Sequence, residues 1–314
     1  MRYAAKRLAT LLLTMLIVSL LTFAAFDLIS GSPATAMLGT SATPEKVAAL
    51  EAELGLDRPL PVRYGEWIAG FAAGDLGISY SYLTPVSDLI AQPLLTTLCL
   101  SLLTFCLIVA VSIPVGLWAA RRPGGGWAGS IANQLLMALP PFFVGMLLTW
   151  VFSSILGWFV HGRFPGLRED PAGALAYLLF PAAALALPRI AMTVRMLSAT
   201  LRSEMGKDYV RTAISRGNDR RGVLVHHVLK NALVPVVTFL GQTMAEIVAG
   251  SIVVEQVFAV PGLGRMLLTS IGNRDYPVVQ AIVVILALWV VLAGAAADWI
   301  TQWIDPRLRL GGAQ

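Results

Sequence analysis

Residues Pro93 to Ala120 read PLLTTLCLSLLTFCLIVAVSIPVGLWAA, without one Asp, Glu, Lys or Arg. A helix rises about 1.5 Å per residue and a bilayer's hydrocarbon core is about 30 Å thick, so about 20 apolar residues cross it. A second uncharged stretch runs from Ser130 to Val160. Of the 314 residues, 57% are hydrophobic and 13% charged, whereas soluble domains carry roughly 25% charged residues. Soluble, fibrous and disordered classes are excluded. The chain reads as an all-α polytopic membrane protein.

Working outward, apolar windows predict six helices, at Leu8–Ile29, Leu94–Ala120, Ile131–Trp158, Ala172–Met192, Leu233–Val254 and Pro277–Trp299. Pro140-Pro141 in the third, and Pro181 and Pro188 in the fourth, predict kinks rather than breaks, because neighbouring membrane helices satisfy the freed carbonyls. Cys99 and Cys106 sit seven residues apart on one helix, about 10 Å along its axis, beyond the roughly 7 Å that a disulfide spans.

Orientation follows from the basic residues. Sixteen of the 23 fall on one side: the amino terminus, Arg121-Arg122, Arg189, the connection from Arg195 to Lys230, and Arg307 and Arg309. That side is the cytoplasm, and an even number of spans puts both termini there. The net charge of +5 therefore reflects membrane topology, and no nucleic-acid partner is expected. Arg2, Lys6 and Arg7 before an apolar run, with Ala34-Thr35-Ala36 after it, imitate a signal peptide. The 19-residue run Leu8–Phe26 exceeds the 7–15 residues usual in such segments, so it is read as a retained first helix. Residues 31–92, with Trp67, Phe71, Tyr80 and Tyr82, read as a small ordered insert, because aromatic residues supply local packing; plain connecting chain is the alternative.

No G-x-x-x-x-G-K-[ST] occurs, so the chain has no P-loop of its own with which to hydrolyse a nucleotide. His226 and His227 are adjacent and point about 100° apart on a helix, so they cannot chelate one ion together. No catalytic, metal or cofactor site is expected. Acidic residues in or beside spans mark polar pathways; here they are Glu246, Glu255 and Asp298, with Asn133, Gln134 and Gln242 as uncharged polar partners. Glu246 lies deepest. It could serve a structural hydrogen bond to a neighbouring helix or, with Asn133, Gln134 and Gln242, line a translocation path.

The connection from Thr193 to Asn231 is long, basic and helical in pattern, with no proline between Pro188 and Pro235. Ala213 and Gly217, four apart, would form a side-chain-poor helix face flanked by Arg211 and Arg216. Such a face suits close approach by another protein; an amphipathic helix lying on anionic lipid is the alternative.

The stretch Tyr209–Pro235, YVRTAISRGNDRRGVLVHHVLKNALVP, resembles the cytoplasmic coupling loop of ABC importer permeases, the E-A-A-x-x-x-G motif followed by an apolar stretch ending in L-P. Arg211-Thr212-Ala213 stand where the pattern has E-A-A, Gly217 is kept, and Asn231-Ala232-Leu233-Val234-Pro235 matches the ending of the dipeptide/oligopeptide/nickel branch. Asn218 replaces the apolar residue usual after the glycine. Leu54–Leu60 (LGLDRPL), Gly74–Ser79 (GDLGIS), Pro261–Arg265 (PGLGR), Arg274–Gln280 (RDYPVVQ) and Asp305–Arg309 (DPRLR) resemble further segments of that branch, in order.

The resemblance implies a type I ABC importer permease fold in a bacterial inner membrane. Its parts would be a first helix at 1–30, a periplasmic insert at 31–92, a five-helix core at 93–304 holding a coupling loop at 194–232, and a cytoplasmic tail at 305–314. It implies two ATP-binding cassette ATPase subunits as partners, with a second homologous permease chain, an extracytoplasmic binding protein and membrane lipid. Tyr209, Arg211, Thr212, Ala213, Arg216 and Gly217 would meet the ATPase. Expected cargo is a di- or oligopeptide, with nickel or a metal chelate as the alternative. An ATP-independent secondary transporter is the competing class.

Overall fold

The apolar runs fold into helices because a chain in hydrocarbon must satisfy every backbone group internally. The computed structural model describes residues 2–28, 32–121 and 127–304. The tail 305–314, with its Asp305–Arg309 stretch, lies outside the described residues. Thirteen α-helices follow in order: α1 (Arg2–Leu28), α2 (Pro33–Leu38), α3 (Pro44–Glu53), α4 (Leu60–Ala72), α5 (Val86–Arg121), α6 (Trp127–Ala138), α7 (Pro141–Leu148), α8 (Pro171–Met205), α9 (Asp208–Ser215), α10 (Arg220–Val223), α11 (Leu229–Val257), α12 (Leu263–Gly272) and α13 (Tyr276–Ile304). Among the described residues there is no strand, only an isolated bridge between Ile78 and Pro85.

Among the described residues, five helices are long and apolar enough to cross a membrane, or six if the bent pair Ile131–Ala138 and Pro141–Ile155 is one span. That pair corrects the expectation of a mere kink. The chain turns by 100° at the break, because two consecutive prolines remove two donors and Pro141 forces its predecessor Pro140 into extended backbone, with ψ 140°. Pro141 instead starts α7, whose end winds into a π-helical stretch, Thr149–Ile155. Pro181 and Pro188 do stay inside one continuous helix.

α8 also outruns its apolar window, ending at Met205 instead of Met192. The extension persists because Thr193, Val194, Leu197, Ser198, Leu201 and Glu204 keep burying one face at helical spacing. Hydropathy stops at the first charges; the helix does not.

Contacts divide the chain into two compact units, residues 1–97 with 261–291, and 98–260 with 292–314. In the first, aromatic residues of α1 and α4 pack together. Phe23 of α1 meets Tyr64 and Trp67 of α4 with ring centroids 5.5 and 6.0 Å apart, and Trp67 meets Phe71 at 5.4 Å. The Ser19 hydroxyl and the Tyr64 phenol share a hydrogen bond of 2.9 Å.

The same unit holds a polar knot. Asp275, fully buried, accepts hydrogen bonds from the Ser79 hydroxyl at 2.5 Å, from the Tyr80 amide at 3.0 Å and from the Ser81 amide at 3.2 Å. Two stretches that drew attention in the sequence, Gly74–Ser79 and Arg274–Gln280, are thus one structural element. Nearby, the Thr97 hydroxyl accepts from the Leu263 amide at the start of α12, at 2.8 Å.

The second unit is built on α8, which packs against α6, α7 and α11. Its core includes Leu178, Leu197, Leu201, Ile247 and Phe258. Small residues let helices close up: a Cβ built on Gly241 of α11 would overlap the Ala297 methyl of α13, the packing that membrane helices favour in the absence of a hydrophobic drive. Tyr177 satisfies its buried hydroxyl by donating to the Phe258 carbonyl at 2.6 Å.

Candidate functional site

Past the end of α8 the chain turns at Gly206-Lys207 and runs into α9. This short helix is amphipathic. Val210 is fully enclosed in the core of the second unit and Ala213 packs partly against it. On the opposite side stand Asp208, 98% exposed, and Arg211, 80% exposed, together with Thr212, Ser215 and Arg216. The Arg211 guanidinium and the Asp208 carboxylate are 3.9 Å apart, an exposed pair of little energetic worth.

A hydrogen-bonded network sets the helix in place. The Glu204 carboxylate at the end of α8 accepts from the Lys207 ammonium at 2.5 Å and from the Tyr209 hydroxyl at 2.9 Å. That hydroxyl in turn accepts from the Asn231 amide of α11 at 3.2 Å. One phenol therefore ties α9 to the end of α8 and to the beginning of α11. Partial burial pushes the Tyr209 hydroxyl up from its ordinary value, against the bond from Asn231 and helped by the bond to Glu204, so it remains a donor. The bond to Glu204 likewise holds the Lys207 ammonium above its usual range.

α9 ends in a Schellman turn. The Gly217 amide donates to the Ile214 carbonyl at 2.9 Å and the Asn218 amide to the Ala213 carbonyl at 3.4 Å. Gly217 adopts φ +89°, a left-handed conformation that glycine enters without the steric cost of a Cβ. Gly217 therefore stops the helix and does not extend a face with Ala213. A Cβ added to it would meet nothing within 4 Å, so its requirement within this chain is conformational. Asn218, in place of the usual apolar residue, contributes a second bond from its side-chain amide to the Ala213 carbonyl at 3.0 Å.

Beyond the turn, the Asp219 carboxylate accepts from the Gly222 amide at 3.1 Å. α10 then passes through a π-helical stretch, Leu224–Val228, into α11. The expected coupling loop 194–232 thus comprises the end of α8, the separate two-turn helix α9, α10 and the entry to α11.

The second group of candidates is intramembrane. Gln242 and Glu246 lie one turn apart on α11, both exposed. The Glu246 carboxylate is ion-paired with the Arg189 guanidinium of α8. Asn133 and Gln134 sit on α6, and the Asn133 amide reaches the Met137 sulfur at 3.5 Å; no described bond joins them to the α11 pair. Glu255 is fully buried, whereas Asp298 is exposed on α13. Among the described residues no group of three or more His, Cys, Asp or Glu could hold a metal ion. Reading the sequence missed Glu204, Arg189 and the capping role of Asn218. Only the first had a signal, a Glu, Lys and Tyr at 204, 207 and 209 where one helix gives way to the next.

Residues 112–310 match the family described as binding-protein-dependent transport system inner membrane component. Residues 1–101 match its companion family, the N-terminal part of such membrane components. A protein of Brucella abortus (strain 2308) named as a peptide transport system permease is 38% identical over 306 residues, 97% of this chain and 98% of that one. The glutathione transport system permease protein GsiC of Salmonella choleraesuis (strain SC-B67) is 34% identical over 98% of this chain and 99% of its own. Among solved structures, a chain of the inward-facing MetNI methionine ABC transporter superposes with a TM-score of 0.55 at 19% identity, covering 69% of this chain and 97% of that one. That likeness bears on fold alone.

Proposed function

The chain belongs to the family of binding-protein-dependent transport system inner membrane components, and from that premise we propose that α9 is the surface through which ATPase subunits drive it. As an ABC importer permease, the chain is a multi-pass component of a bacterial inner-membrane transport system and works with ATPase subunits and a substrate-binding protein. Catalysis of ATP hydrolysis resides in the ATPase. The assembly is one copy of this chain, a second homologous permease and two ATPase subunits, with both termini cytoplasmic, residues 31–92 outside and the tail 305–314 inside.

The observation that carries the reading is the construction of α9. Val210 and Tyr209 anchor it inward, while Arg211, Thr212 and Arg216 point outward. A helix bonded to the ends of α8 and α11 moves with them, so a push on its outer face becomes a rigid-body movement of membrane helices. Tyr209, Ala213 and Gly217 set its position and end, and the outward residues make the contact.

The cargo is a di- or oligopeptide. Relatives named for peptides and for glutathione favour it over nickel or a metal chelate. Gln242 and Glu246, with Asn133 and Gln134, line its path. The test is uptake by proteoliposomes containing this chain, its partner permease and the ATPases, presented with the peptide-loaded binding protein. Uptake only with ATP is expected. Uptake by this chain alone without ATP would refute the reading.

A further inference from the structure

α11 presents an unusual face for a membrane-spanning helix. From Thr238 onward its exposed residues are Thr238, Gln242, Glu246, Ala249, Val253 and Gln256. At about 100° per residue these fall in one straight stripe about 80° wide. Four of the six are polar or charged. The exposed face of α1 is the opposite: from Leu12 to Ala25 every exposed residue is Leu, Ile or Ala. The α1 face suits lipid. The α11 face does not, because a carboxylate and two amides in contact with hydrocarbon would forfeit their hydrogen bonds.

The ion pair in the middle of the stripe is lopsided. The Arg189 side chain is 24% exposed and that of Glu246 49% exposed, so the pair turns its negative member outward. Arg189 pairs with Glu246 from behind, and the outer side of the half-exposed carboxylate remains available to a second cation. The Gln242 carbonyl, one helical turn away, adds an acceptor about 5–6 Å along the same face. Two acceptors at that spacing, one of them charged, suit a compact cation with several N–H donors.

We infer that Glu246 and Gln242 form a subsite for the ammonium group of a peptide in transit, its free amino terminus or a lysine side chain. This rests on the proposed function. Arg189 is a positioning residue: it fixes the carboxylate through the ion pair and does not itself touch the cargo. The subsite favours passage of cationic groups along this stripe over anionic ones.

The test uses thiol-reactive probes on the complete transporter in proteoliposomes, in a chain carrying Cys99→Ala and Cys106→Ala so that only an introduced thiol reacts. With Gln242→Cys, the rates of a cationic trimethylammonium methanethiosulfonate and of its anionic sulfonate counterpart are compared. Adding Glu246→Gln is expected to lower the cation-to-anion rate ratio at least about tenfold, since the unit charge next to the thiol is removed. Adding Glu246→Asp is expected to preserve it. If the Glu246→Gln chain does not assemble, thiols placed by Thr238→Cys, Ala249→Cys and Gln256→Cys with Glu246 intact keep the question answerable. Their ratio should peak at 242 and 249 and fall toward 256.

No reaction of the Gln242→Cys thiol with either reagent would place this face against lipid or the second permease and overturn the inference. So would a ratio indifferent to Glu246→Gln, or one flat along the stripe. ATP-driven uptake by the unmodified transporter in matching vesicles reports separately on the proposed function: its absence would sink that reading whichever way the thiol rates fall.

Discussion

The knot around Asp275 and the segment around α9 are both polar and both irregular, yet they use polarity in opposite ways. Asp275 is fully buried and has its bonds to Ser79, Tyr80 and Ser81 supplied from within the chain. α9 spends one phenol on internal bonds and leaves Asp208, Arg211, Thr212 and Arg216 exposed. A polar group that is satisfied inside holds the fold together. One that is anchored at its back and open at its front is built for something else to bind.

The difference is sharpest at Asp275. Asp275→Ala removes the acceptor of three bonds and leaves the Ser79 hydroxyl and two amides to find other partners, a loss of about 3–5 kcal/mol. Accumulation in the membrane and the thermal midpoint of the purified chain are both expected to fall. By contrast Arg211→Glu with Arg216→Glu should leave both untouched. A midpoint that drops as far for the α9 double variant as for Asp275→Ala would erase the distinction between the two regions.

Gly217 tests what ends α9. A valine there must adopt positive φ, at a cost of about 1–2 kcal/mol or a reshaped turn. Uptake is expected to fall more than tenfold with accumulation unchanged. Asparagine tolerates the left-handed region, so Gly217→Asn should retain most uptake. Equal loss in both variants would mean that the ATPase needs the missing side chain, and not the turn. Tyr209→Phe keeps the ring but loses the bonds to Glu204 and Asn231, about 1–2 kcal/mol of local stability; hydrogen exchange of the α9 amides is expected to quicken while the midpoint of the whole chain moves little. Asn218→Ala should be smallest, about 0.5–1 kcal/mol, visible only as fraying of the last turn of α9.

Much of this was legible in the sequence because hydropathy and charge are local properties. The apolar windows located the spans, and the connection from Thr193 to Asn231 stood out through its basic, proline-free pattern. What was illegible depended on partners distant in sequence. Nothing near Ser79 announces Asp275, 196 positions later, and nothing near Glu246 announces Arg189 on another helix. The 100° turn at Pro140-Pro141 had a visible cause, but its size is set by the helices packed around it. The role of Gly217 was misread for a related reason: four-residue spacing from Ala213 suggests a shared face only if the helix continues, and the glycine is what ends it.

The central claim is that α9 is where the ATPase takes hold, and co-purification tests it most directly. The tagged chain and its Arg211→Glu, Arg216→Glu variant would be isolated from native membranes in mild detergent at equal accumulation. The account predicts that the unaltered chain brings ATPase subunits and a second permease with it. The variant should keep the permease and lose most of the ATPase. ATPase recovered undiminished with the charge-reversed variant would contradict it.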